Sequence, residues 1–346
     1  MTADWLVAGS VWWDGRLRGT GALRLVDGCV AGGPVPVAEV PAGARRRTLP
    51  GTVLPGLIDA HGHSALIDLR TVRAGGIAGV WDLGGVPGRV AALRDLARHR
   101  PDLPRLRIAG PFLAAPGGYP SDRAWAPHGS CRAVRSARDA VDAVAECAAL
   151  GVDLVKVTAH AGGPLLPDKV LAALVEAAHA ERLPVVVHAE GPGTVAAAVD
   201  AGADLLAHTP WTERQDDGLL RTAADAGMRW ISTLDIHGWG RATAGHRAAI
   251  DNLRRFLRHG GRVRYGTDLG NGPLVPGVNP REIRALQWAG LTPEEILAAM
   301  TGDPAELPPC WIPGGLELDD IRFADVLATA RVIGPEVQPR YERMGA

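Results

Sequence analysis

The stretch Val53-Leu54-Pro55-Gly56-Leu57-Ile58-Asp59-Ala60-His61-Gly62-His63 opens as an apolar run of strand character and closes on two histidines one residue apart. In an extended chain, side chains at i and i+2 project to the same side, so His61 and His63 aim two imidazoles into one space. Two neutral imidazoles so placed are half of a metal site, or else a chance pair in a loop. What surrounds them decides between the two.

Downstream of Leu54, short apolar runs alternate with amphipathic stretches of helix length. Strands are expected near 54–60, 78–83, 105–111, 152–158, 184–189, 203–208, 229–234 and 262–267. Helices are expected near 64–74, 88–100, 134–150, 168–182, 193–201, 213–227 and 247–260, with Gly151 and Gly202 as stop signals. Strands alternating with helices over ~250 residues are the pattern of an α/β fold, a (β/α)8 TIM-like barrel spanning 54–303. A doubly wound sheet competes, but no GxGxxG opens a helix. Upstream, Trp5–Gly9, Val11–Trp13 and Ala22–Val26 read as short strands with turns at Asp14-Gly15 and Asp27-Gly28. This is a small antiparallel unit. After residue 303 the chain turns Pro- and Gly-rich, then Phe323–Thr329 and Arg331–Ile333 read as strands. Residues 1–53 and 304–346 are therefore expected to build one small β-sandwich, with the last ten or so residues loose.

Composition narrows the function classes. The 346 residues are 47% apolar, enough for a large core. With 37 basic and 38 acidic residues and no charge block, nucleic acid is a poor partner. No apolar run reaches the ~18 residues of a membrane helix, and the start lacks a signal-peptide pattern. Cys29, Cys131, Cys147 and Cys310 show no CxxC spacing, so reduced thiols and a cytoplasmic location are expected.

In a barrel of this kind the functional face is the C-terminal end of the strands. His61 and His63 end the first expected strand, Lys156 lies in the fourth, His188 ends the fifth, His208 the sixth and Asp268 the eighth. Singly, each has a plainer reading: a hydrogen-bonded core histidine, a turn or capping aspartate, a lysine snorkelling to the surface. Together, at matching strand ends, they are poorly explained as independent accidents. Lys156 is the sharpest signal, because only two of the 37 basic residues are lysine, Lys156 and Lys169. A lysine among valines has its pKa pushed down, and the free amine can add carbon dioxide to give an anionic, metal-bridging carbamate. Lys169, beside Asp168 at a helix start, reads as ordinary surface.

The order His61-x-His63, Lys156, His188, His208, Asp268 resembles the metal-dependent amidohydrolase superfamily. The likeness runs over nearly the whole chain, through Leu54–His61, Gly290–Ala299, Gly315–Glu317 and Phe323–Val326. Asp82-Leu83-Gly84-Gly85, Val155-Lys156-Val157 with Gly162-Gly163, and His188-Ala189-Glu190-Gly191 look like the imidazolonepropionase and prolidase-like branch. The resemblance implies two divalent metals per chain, zinc first and Mn, Fe or Ni as alternatives. His61, His63 and Asp268 would hold one and His188 and His208 the other, with carboxylated Lys156 and a hydroxide bridging them. Asp268 would carry the proton from the hydroxide to the leaving nitrogen.

Other residues carry weaker signals. Asp59 suits a structural role rather than ligation. Tyr119 can donate to a developing oxyanion or be a turn tyrosine. His160 and His237 follow strands and are candidates for substrate contact. Glu190 stands where many relatives of this branch have a second histidine, and can be a proton carrier or a substrate-amine anchor. Trp81 stands where the branch commonly has Arg, which puts a carboxylate clamp there in doubt. Trp125, Trp211 and Trp239 fall in expected rim loops, where they line a pocket or pack on the barrel.

The resulting expectation is a cytoplasmic, metal-dependent hydrolase of a C–N bond in a small cyclic amide or imide, N-acyl compound or dipeptide. Its partner would be a small-molecule substrate, not nucleic acid or membrane, and the scaffold often self-associates into a homo-oligomer. The rivals are a one-metal deaminase of a heterocyclic C=N, with Lys156 a plain amine, and a catalytically silent binding protein on the same fold.

Overall fold

The computed structural model describes residues 4–334. Its first layer is built by both ends of that chain. Strands β1 (Asp4–Trp13), β2 (Arg16–Arg18), β3 (Gly21–Val26), β4 (Cys29–Val30) and β5 (Arg45–Leu54) precede the parallel region. Strands β16 (Cys310–Ile312) and β17 (Arg331–Val332) return to it, giving the order β17-β16-β5-β1-β3-β4 with β2 on β1. This is a single seven-stranded sheet where a sandwich was expected, and it is mixed, because β1 and β5 run parallel. Alternation along β1, shifted by an irregularity between Ala8 and Ser10, puts Leu6, Ala8 and Val11 inward onto Leu23, Leu49 and Val53 in a small core of their own.

The second layer is parallel. Strands β6 (Ile58–Gly62), β7 (Gly79–Asp82) and β8 (Arg105–Ile108) form one sheet. Strands β9 (Phe112–Ala114), β10 (Cys131–Ala133), β11 (Val155–His160), β12 (Val185–Glu190), β13 (Leu205–Leu206), β14 (Arg229–Ile231) and β15 (Arg262–Arg264) form another, ordered β10-β9-β11-β12-β13-β14-β15. Hydrogen bonds join the two at both sides. Residues 60–63 bond to 265–269, and the Asp153 amide donates to Ile108. The expected strand 105–111 ends early, as β8, and β9 follows it at 112–114.

Helices α1 (Leu69–Ala74), α2 (Pro87–Arg98), α3 (Ala137–Leu150), α4 (Asp168–Ala180), α5 (Thr194–Asp200), α6 (Asp217–Asp225), α7 (Ala244–Arg258), α8 (Pro280–Ala289), α9 (Pro293–Met300) and α10 (Phe323–Leu327) complete the chain. Their ends follow the capping chemistry. Ser136 caps α3 by accepting from the Asp139 amide, and Gly151 closes it in the left-handed conformation. The expected helix 64–74 is shorter, because Asp68 accepts from the Arg70 amide and starts α1 there. Valines of β11 and β12, buried on both faces, form the main core with Leu171, Leu174 and Val175 of α4.

Two expectations at the C-terminal end are corrected. Residues 323–327 form α10, not a strand; Phe323, Ala324 and Leu327 are its buried face, at helical spacing. The stretch read as a Pro-rich connection holds β16, whose Cys310 pairs with Leu54. The loose tail expected for the last ten or so residues lies outside the described residues.

Candidate functional site

Strand β6 carries His61 and is followed directly by His63, and each ring is held from behind. His61 Nδ1 lies 2.7 Å from the Ala207 carbonyl and His63 Nδ1 3.0 Å from the Gly84 carbonyl. A carbonyl only accepts, so each Nδ1 carries a proton, and Nε2 is the atom that offers a lone pair when the ring is neutral. Both Nε2 atoms face Asp268 Oδ1, at 3.1 Å and 3.4 Å. His208 Nδ1 meets the Thr233 hydroxyl at 2.9 Å, a group that can donate or accept and so leaves the tautomer open.

Buried carboxylates fix this arrangement. Asp59 accepts from the His61 amide and from both the amide and the hydroxyl of Thr267, the residue before Asp268. Asp82 accepts from the amide and hydroxyl of Ser64 and from the Gly84 amide. It thereby grips the neighbour of His63 and the peptide whose carbonyl orients it. Gly84, at φ 139°, leaves no room for a side chain, because an added Cβ would meet the Phe112 ring at 2.3 Å. Asp268 and Thr233 sit at φ 59° and 43°, conformations that cost energy for residues with a Cβ and that concentrate at functional sites.

His61, His63, Lys156, His188, His208, Asp268 and Tyr119 all line one cavity of about 200 Å³. His61 and His208 rings are 4.6 Å apart, and His188 and His208 4.9 Å. Burial holds His61 and His208 well below the ordinary histidine range, so both are neutral donors. Burial works against His63 too, but the Asp268 carboxylate outweighs it and raises that ring. Asp268, despite burial, is held well below the usual carboxylate range by His61 and His63. Burial pulls Lys156 down to about 7, with Asp268 opposing. Lys169 is exposed.

The second rank of candidates divides. Glu190 Oε2 is 3.1 Å from His188 Nε2 and 3.0 Å from His160 Nδ1, the latter without hydrogen-bond alignment. His160, His188 and Glu190 thus form a second close group of metal-ligating side chains beside His61, His63 and Asp268. Tyr119 stacks on His188 at 4.8 Å, and burial pushes its hydroxyl well above the ordinary tyrosine range. His237 stacks on Trp211 at 4.5 Å, a step back from His208 at 6.5 Å. Trp125 lines the cavity, and Trp239 packs behind the cavity residue Gly272. Trp81 does not line it; its ring lies between the guanidinium groups of Arg107 and Arg264.

Sequence reasoning missed Phe112, Thr158, Asn271 and Thr233. Thr158 had a signal, since it follows Lys156 by two positions on one strand face. Asn271, whose Nδ2 donates to Asp268 Oδ2 at 2.8 Å, had none beyond proximity. The donor set, imidazole nitrogen with carboxylate oxygen, suits zinc and related divalent ions.

No family model matches the chain. An uncharacterized protein of Mycobacterium bovis is 29% identical over 353 residues, covering 89% of this chain and 85% of that protein. A solved Xaa-Pro dipeptidase with methionine bound in its active site matches at a TM-score of 0.77 and 17% identity, over 96% of this chain and 98% of its own. The A. niger ochratoxinase matches at 0.74 and 18%, over 95% and 94%. The likeness to these solved structures shows the fold, and it is the fold that the motif resemblance implies.

Proposed function

We propose that this chain, an amidohydrolase in fold, is a metal-dependent hydrolase. Its reaction is cleavage of a C–N bond in a small cyclic amide or imide, N-acyl compound or dipeptide. The observation that carries this reading is the pair of imidazoles committed through Nδ1, with both Nε2 atoms turned to Asp268 inside a cavity that also holds Lys156, His188 and His208. The hydrogen bonds joining the two parallel sheets support a closed (β/α)8 barrel over 54–303, to which the sheet of β1–β5, β16 and β17 is appended.

His61, His63 and Asp268 would hold one divalent ion, zinc by donor type, and His188, His208 and carboxylated Lys156 a second. Such ions lower the pKa of a water toward ~7 and polarise a carbonyl oxygen. The chain supplies the rest. Asp268, steadied by Asn271, accepts the proton of the attacking water and returns it to the leaving nitrogen. Tyr119 keeps its proton and donates to the developing oxyanion. Lys156, partly unprotonated at neutral pH, forms an N–C bond to carbon dioxide and releases a proton to water. The substrate is a small molecule, and the cytoplasm is the expected compartment.

The test pairs metal analysis with hydrolysis of a panel of cyclic imides, N-acyl amines and dipeptides. Two metals per chain are expected, with a rate loss of about 10²–10⁴-fold in Asp268→Asn. Near-parental activity in that variant overturns the reading. Glu190 beside His188 favours a second reading, a one-metal deaminase using His61, His63, His188 and Asp268 as ligands. One metal per chain with ammonia release would select it.

A further inference from the structure

The opposite ends of the last parallel strands carry a different chemistry. A cleft of about 650 Å³ lies between β15, the end of α7 and the α8–α9 connection. Five arginines line it: Arg229 at the start of β14, Arg262 and Arg264 on β15, and Arg254 and Arg258 in the last two turns of α7. The one acid among the lining residues is Glu295, whose carboxylate is occupied in capping α9, accepting from the Thr292 amide at 2.9 Å.

These cations are arranged at a cost. Arg229 is the register partner of Arg262, and Arg254 and Arg258 are spaced i,i+4 on one helix face. Like charges directly across a strand pair, or one helical turn apart, repel. Arg258 has a local account, since cations suit a helix C-terminus. The strand arginines have none. Arg264 is half-buried, stacks on Trp81 at 5.5 Å, and is held below the ordinary arginine range by burial and by Arg229 and Arg107. Two independent elements thus turn positive charge into one concavity, countered among the described residues only at Arg254, which lies 3.9 Å from Asp251, with Leu257, Val263 and Leu291 as apolar wall. Guanidinium forks match the oxygens of phosphate groups, and several forks around one space match more than one such group.

We propose that this cleft binds a small anion carrying two or more phosphate groups. The test is calorimetric titration of the full chain with inorganic pyrophosphate, inorganic phosphate and adenosine diphosphate, in parent and in R229Q/R262Q. Pyrophosphate is expected to saturate one site, to outbind phosphate, and to lose about tenfold or more in affinity in the variant. Adenosine diphosphate binding more tightly than pyrophosphate would identify an organic diphosphate as the source, and the reverse a free one. Chelation of the proposed metals would act on parent and variant alike, so the difference between them reports the cleft. With no anion present, R229Q/R262Q should be at least as heat-stable as the parent, because a repulsive pair is gone. R258Q, on the separate α7 wall, should weaken pyrophosphate several-fold and carries the test if the double variant fails to fold. Equal affinity in parent and variants, no saturable binding, or tighter arginine-dependent binding of a duplex DNA oligonucleotide would each overturn the proposal.

Discussion

The two halves of the candidate centre are braced differently. His61 and His63 are oriented by main-chain carbonyls, and two buried carboxylates, Asp59 and Asp82, clamp the peptides around them. His208 leans instead on a side-chain hydroxyl, and His188 meets Glu190, a half-buried acid. Lys156 is set by burial, with only the Asp268 charge opposing its loss of a proton. Backbone partners cannot rotate away, whereas side chains can. The first half is therefore complete as folded, and the second is finished by what binds there. Under a graded chelator challenge of metal-loaded protein, one ion should leave well before the other.

Substitutions sharpen this contrast in order of size. Lys156→Arg should strip the second ion and keep the first, with a rate loss beyond the about 10–100-fold typical of supporting residues; metal content and kcat are the readouts. Retention of both ions would break the distinction between the halves. Gly84→Ala drives a methyl into Phe112 and shifts the carbonyl behind His63. We expect about 10–100-fold weaker binding of the first ion and about 1–3 kcal/mol lower stability, read by competition titration and by urea melts. Thr233→Val removes the hydroxyl behind His208 and should weaken the second ion by about tenfold, leaving the first unchanged. Glu190→Gln should be smallest in the two-metal reading, with unchanged metal content and a rate within a few-fold of parent. A loss near the full range of about 10²–10⁴-fold for acid–base catalysis would move the assignment to the deaminase.

Much of this was legible from the sequence because it rests on local rules. Parity put His61 and His63 on one side; it does not account for Asp59, which shares their parity, yet at a register shift between Asp59 and Gly62 the structure turns it to the His61 amide and to Thr267 rather than into the cavity. Lys156 stood out because the chain otherwise writes arginine. What stayed hidden depends on partners remote in the chain. Cys310–Ile312 is a strand only because Thr52–Leu54 offers an edge, more than 250 residues earlier. Phe323–Leu327 alternates well enough for a strand, yet the face it must bury has helical spacing. Trp81 shares a strand with the site-bracing Asp82 but points elsewhere, a consequence of the same parity rule. Thr233 and Asn271 act through loop geometry, which no periodicity announces.

Asp59 joins His61 to Thr267 across 208 positions of chain. An ion cage assembled this way does not exist on a partly synthesised polypeptide, since the aspartate that closes it emerges after every histidine that faces it. On the proposed reading, metal capture would thus be a terminal event of biogenesis, and a chain cut short before residue 268 would have two imidazoles and no anion to complete them.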